Sequence, residues 1–202
     1  MTPLENYQAL MQAIRNRFDL VDLLKGGDLT SFSINETAAF HGRKILEAIA
    51  FSSLVTVEDG LNEVPRDAKG QWNAEKIFEN LSRKNILSLP SPSAIRYPNA
   101  SEMHLNTQLV FDGIPERRID LAELKSMYQR MHRWMHEMNP YTYGGYEAFI
   151  RDNSRVLWGD LSRLYLFLET HFVAIRGAGF ICVLRDSQDG LTKVKAMAKI
   201  SD

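Results

Sequence analysis

The chain has 202 residues, 45% of them apolar and 24% charged, enough to bury a hydrophobic core within one domain. A formal net charge of -1 gives no global field for nucleic acid or an anionic membrane, so binding of either kind needs a local patch. One cysteine, Cys182, excludes an intrachain disulfide and a cysteine-based zinc cluster, and in "GFICVL" it reads as a small core hydrophobe.

The start "TPLE" sets Thr2 as helix cap, Pro3 at the first helical position and Glu5 three residues after the cap. Leu4, Tyr7, Leu10 or Met11, Ile14, Phe18 and Val21 then recur at helical spacing until "KGGD" stops them. A second helix is predicted from Asn35 to Gly60, with Phe40, Ile45 or Leu46, Ile49, Leu54 and Val57 inward. Its Ala38, Ala39, Ala48 and Ala50 allow close approach by a neighbour. The break "HGRK" and Glu47 wet this central helix. Arg43 and Glu47, four apart, read either as an intrahelical ion pair or as a half-buried pair that orients the functional helix. "NAEKIFENLSRKN" is a shorter amphipathic helix capped by Asn73, with Ile77, Phe78 and Leu81 inward.

Pro90, Pro92 and Pro98 then end helical character, and residues 86–116 are expected to form an irregular insert lying over the surface or a cleft. Within it "MHLNTQLVF" alternates like a short strand and "DGIP" reads as a turn. "DLAELKSMYQRMHRWMHEMNP" opens on a cap at Asp120 with Glu123 three residues on, and is expected to stay helical until Pro140. Leu124, Met127, Tyr128, Met131, Trp134, Met135 and Met138 fall within roughly 120 degrees of its wheel and form the core stripe. A last helix runs through Trp158, Leu161, Leu164 or Tyr165 and Leu168. "GFICVLRDSQDGLTKVKAMAKI" closes the chain as a hairpin, with Lys193, Lys195 and Lys199 outward. The hairpin must pack on the helices, because two strands alone are marginal. No apolar run approaches the roughly 20 residues that span a bilayer, and "MTPLENYQAL" lacks a basic start before an apolar stretch. The expectation is a soluble cytoplasmic protein without a membrane partner.

The strip "YQRMHRWMHEMNPY" is the candidate site, open to three readings. A metal reading pairs His132 with His136 and takes Glu123 or a distant carboxylate as third ligand, but Arg133 stands where a metalloprotease carries its glutamate. Two arginines beside the pair also disfavour a cation, so no metal and no cofactor is expected. An acid–base reading makes His136 the proton carrier, with Arg130 or Arg133 on a phosphate, as metal-independent RNA cleavage requires. Two copies of the helix across a twofold axis would supply two such sets in one groove. A structural reading makes the strip a basic helix face, with His136 fixing the turn at Asn139 and Pro140.

The ordered series "HGRKILEAIAFSSL", "QWNAEKIFENL" and "LKSMYQRMHRWMHEMNPY", followed by "LWGDLSRL" and a terminal hairpin, resembles a group of uncharacterised bacterial proteins with HEPN-like helical domains. The resemblance covers most of the chain. It implies a dimerising helical bundle and, in many members, a ribonuclease of toxin–antitoxin, abortive-infection or CRISPR-linked phage defence systems. The catalytic pattern of such members, an Arg followed a few residues later by a His, matches Arg130 and His136, with Arg133 and His132 in support. Met131 follows Arg130 where active members carry a polar residue. An inactive HEPN-like domain serving as a protein-interaction or assembly module is therefore the competing expectation, with a partner such as an antitoxin. A small-molecule pocket between the bundle and the insert is a third.

The expectation is thus a mainly α (α+β) protein, one HEPN-like domain over 1–202 that forms a homodimer. It comprises about five helices over 1–171 and a β-hairpin annex over 172–202. Arg43, Glu47, Asn139 and Pro140 are assigned structural roles near the site.

Overall fold

A computed structural model describes residues 1–103, 109–137, 139, 141 and 144–197. Within them are five α-helices and a five-stranded antiparallel sheet: α1 (Pro3–Leu24), α2 (Phe32–Leu61), α3 (Ala74–Arg83), β1 (Ser91–Arg96), β2 (Val110–Gly113), α4 (Leu121–Arg133), α5 (Tyr146–Leu168), β3 (Thr170–Ile175), β4 (Ala178–Val183) and β5 (Lys193–Met197). The protein is α+β.

The caps form where residue chemistry requires them. The Glu5 amide donates to the Thr2 hydroxyl at 3.2 Å while the Thr2 amide donates to the Glu5 carboxylate at 2.7 Å, satisfying two orphan donors of α1. Asn73 and Asp120 cap α3 and α4 in the same sense. Tyr7, Met11, Ile14, Phe18 and Val21 form the buried stripe of α1.

Helix α2 has 30 residues, about 45 Å at 1.5 Å per residue, and touches each of the other four helices as well as β3 and β4. Its small residues permit this. A methyl group at Gly42 would sit 2.6 Å from the Met131 sulfur and 2.7 Å from a Leu161 methyl, so α4 and α5 both close onto this position. Phe40, expected inward, is 40% exposed, because Ala38 and Ala39 already face α2's neighbours. Buried Asn35 near the helix start donates to the carbonyls of Leu29 and Ser31 and accepts from the Ser154 hydroxyl and the Trp158 indole, fastening α2 to α5.

The sheet departs most from expectation. Its order is β2-β1-β3-β4-β5, so the Pro-rich segment supplies the two strands at one end instead of an irregular cover. Proline is tolerated because Pro92, opposite His171, need only accept: its carbonyl takes the Ile114 amide at 2.9 Å. Residues 104–108 of the strand expected at "MHLNTQLVF" lie outside the described residues; Val110 and Phe111 belong to β2. Strand β3 takes up the stretch directly after α5, so the expected hairpin of β4 and β5 is instead part of a larger sheet. Val173, Phe180, Cys182 and Leu184 share one core with the helices.

His171 sits at the heart of that core. Its Nδ1 donates to the Leu168 carbonyl at 2.9 Å, which leaves Nε2 to accept from the Tyr7 hydroxyl at 2.8 Å. Burial pushes its pKa down to about 4 and the Tyr7 phenol well above its ordinary value.

Candidate functional site

The strip lies at the C-terminal end of α4. Leu124, Met127, Tyr128, Met131 and Trp134 are buried as the wheel requires, with Trp134 wedged between Phe32 and Phe149 at ring distances of 5.6 and 4.6 Å. The helix ends at Arg133, earlier than expected. Beyond it the chain turns, with the Met135 amide on the His132 carbonyl at 3.1 Å. A proline at 140 already removes the α region from Asn139, so the last turn has little to extend into.

Beyond the helix end His132 and His136 still meet. Their Nε2 atoms are 3.0 Å apart and their rings lie edge to face at 4.4 Å between centroids. His132 is half-buried and His136 is exposed. The other side of His132 faces α2: Arg43 Nη1 lies 2.7 Å from its Nδ1. The same guanidinium donates through Nη2 to the Tyr128 hydroxyl at 3.0 Å, reaches the Met135 sulfur at 3.5 Å and lies over the Tyr128 ring at 5.0 Å. Arg43 Nε is 3.3 Å from the Glu47 carboxylate, close enough for charge attraction but without hydrogen-bond alignment. Lys44 shares that carboxylate at 2.7 Å. Desolvation first, then the positive charge of Arg43, lowers the pKa of His132, with Glu75 on α3 opposing.

Arg130 is directed elsewhere. Its Nε and Nη2 donate to the two carboxylate oxygens of Asp160 on α5 at 2.7 and 2.9 Å, and Asp160 is only 8% exposed. Of the sequence pattern, Arg130 therefore faces α5, whereas the exposed His136 meets His132 of its own strip. Arg133 is exposed and makes no ion pair or hydrogen bond among the described residues, which leaves it the free cation of the strip. Glu123, weighed as a metal ligand, is held by Arg163, whose Nη2 donates to it at 3.1 Å. Asn139 accepts the Tyr141 amide at 3.0 Å; Met138 and Pro140 lie outside the described residues. Among the described residues no group of three or more His, Cys, Asp or Glu side chains is placed to hold a metal, and no helix is long and apolar enough to cross a membrane.

No protein-family model, curated protein or solved structure matches the chain. The site therefore rests on its own geometry. The structure brings together Arg43, Glu47, His132 and His136, and adds Tyr128, which sequence reasoning placed in the core for its ring without assigning a task to its hydroxyl. The one signal for Arg43 was the polar break "HGRK" in an otherwise apolar helix. Asp160 had a similar signal, a carboxylate on a face otherwise occupied by Leu157, Leu161 and Leu164.

Proposed function

We propose that the chain is a HEPN-like, metal-independent endoribonuclease that acts as a homodimer, with His136 as proton carrier. The observation that carries this reading is an exposed imidazole at a helix end, oriented through a second imidazole by an arginine on another helix. Such an arrangement suits general acid–base catalysis, in which a positioned side chain carries the proton. Arg133, free and in the same strip, takes the phosphate oxygens. Arg130 supports the site by tying α4 to α5.

In this reaction a base removes the 2'-hydroxyl proton, the 2'-oxygen attacks phosphorus, and the bond to the 5'-oxygen breaks as that oxygen receives a proton. The products are a 2',3'-cyclic phosphate and a 5'-hydroxyl. One strip offers one proton carrier, so a twofold-related copy supplies the second. A defence or toxin role, with an antitoxin-like partner, is the biological setting of this reading.

Cleavage of a mixed RNA panel in EDTA by the wild type, His136→Ala and Arg133→Ala, each checked for unchanged folding and oligomeric state, tests it. Loss of roughly 100-fold or more in His136→Ala is expected for a general acid–base group. Absence of wild-type cleavage, or equal cleavage by His136→Ala, counts against it. The second reading, a non-catalytic HEPN-like interaction module, is favoured by one observation: the charge of Arg130, the arginine of the sequence pattern, is neutralised by Asp160.

A further inference from the structure

We infer that Arg43 is a positioning residue that fixes the proton order of the His132–His136 pair and thereby latches His136, so that this ring can accept a proton only after it leaves His132. The tautomer argument stands on the geometry alone; its catalytic consequence rests on the acid–base role proposed for His136.

The argument is an inventory of donors and acceptors. An arginine guanidinium has only donors and does not lose its proton in proteins. At 2.7 Å from Arg43 Nη1, the Nδ1 of His132 must therefore be the acceptor, so neutral His132 carries its hydrogen on Nε2. That hydrogen faces His136 Nε2 at 3.0 Å, which must accept it. Neutral His136 is then the Nδ1–H tautomer, with its one lone pair occupied by His132. Nothing else in the pair is free to choose, since reversing the order would set the Arg43 N–H against a His132 N–H.

Arg43 is itself held against drift. Its Nη2 donates to Tyr128 on the same helix as His132, and its Nε lies beside Glu47 on α2. The charged and titratable groups facing the pair are Arg43 with Glu47 behind it on α2, Glu75 on α3, and Tyr128 on α4. Gln129 ties Glu75 to α4 through a 2.9 Å bond. A further proton on His136 Nε2 would oppose the His132 N–H, so protonation there parts the rings.

Long-range proton–nitrogen correlation spectra of the whole chain labelled at its five histidines test this above neutral pH. The expected wild-type result is His132 protonated on Nε2 and His136 on Nδ1, assigned with His132→Gln and His136→Gln. His171, locked as Nδ1–H by Leu168, serves as an internal reference. Arg43→Met, which keeps length but removes every donor, should leave both rings averaging between tautomers and raise the His132 titration midpoint; Tyr128→Phe should do so partially. A wild-type His132 protonated on Nδ1, rings already averaging, or an Arg43→Met spectrum with both tautomers unchanged overturns the proposal. The wild-type spectrum decides even should Arg43→Met fail to fold. Fixed tautomers in a protein that cleaves no RNA would uphold the latch and count against the nuclease reading alone.

Discussion

Arg130 and Asp160 form a two-bond ion pair between α4 and α5, with the carboxylate on the core side. Removing either partner leaves a half-buried charge without its counterpart. Asp160→Ala and Arg130→Ala are each expected to cost about 1–3 kcal/mol. In urea unfolding the double variant should cost clearly less than the two singles combined, because the second removal takes away a group already orphaned. Additive costs would show that the pair does not act as a unit.

Arg133 should behave in the opposite way. Exposed and without an ion pair among the described residues, it contributes little to folding, and Arg133→Ala is expected to change stability by less than about 0.5 kcal/mol. If RNA is the ligand, the same change weakens binding at every sequence tested and lowers the salt slope of binding by about 1. An unchanged slope in a salt titration would remove Arg133 from the phosphate contacts.

Burial of His171 makes the core sensitive to acid. His171 has a folded pKa of about 4 against an ordinary 6.5, so between these values the unfolded chain binds more protons. Its contribution is fully present above pH 6.5 and is lost as pH falls toward 4, an effect on the order of 3 kcal/mol. His132, lowered in the same direction, adds to the loss. Stability measured at pH 7 and pH 4 should differ by that much less in a Tyr7→Phe, His171→Leu double variant; an identical pH dependence would place the acid sensitivity elsewhere.

Two glycines should respond differently to alanine. At Gly179 a methyl group would lie 2.0 Å from the Val173 carbonyl oxygen and 2.6 Å from the Ala174 Cα, both backbone, so β3 and β4 would have to part. At Gly42 the neighbours are the flexible ends of Met131 and Leu161, which can shift at about 1–3 kcal/mol. Gly179→Ala is expected to be the more damaging in thermal unfolding, and the reverse order would mean that the α2 crossing is the tighter contact.

The helices were legible because their signals are local. Thr2 with Glu5, Asn73 and Asp120 announce helix starts within a single turn, and the apolar stripes of α1 and α4 follow from spacing alone. The sheet was not, because its decisive pairings are remote. Pro92 argues against a strand until it is seen that His171 and Ile114 ask nothing of its missing N–H. Within the site, the His132–His136 contact could be read from i, i+4 spacing, whereas Arg43 reaches His132 across 89 positions and only packing reveals it. The pairing of Arg130 with Asp160 was not legible, because spacing in sequence says nothing of a carboxylate 30 positions away on α5.

Tyr7 and His171 are 164 positions apart, and each satisfies a polar group that the other would otherwise leave stranded in the core. During synthesis α1 therefore emerges long before the imidazole its phenol needs, and β1 before the strand that flanks it. Contacts of such long sequence separation close slowly, since the loop must be ordered before the contact repays it. Helix α2, which follows directly and packs on α1, can cover the apolar stripe early, while the Tyr7 hydroxyl waits for His171.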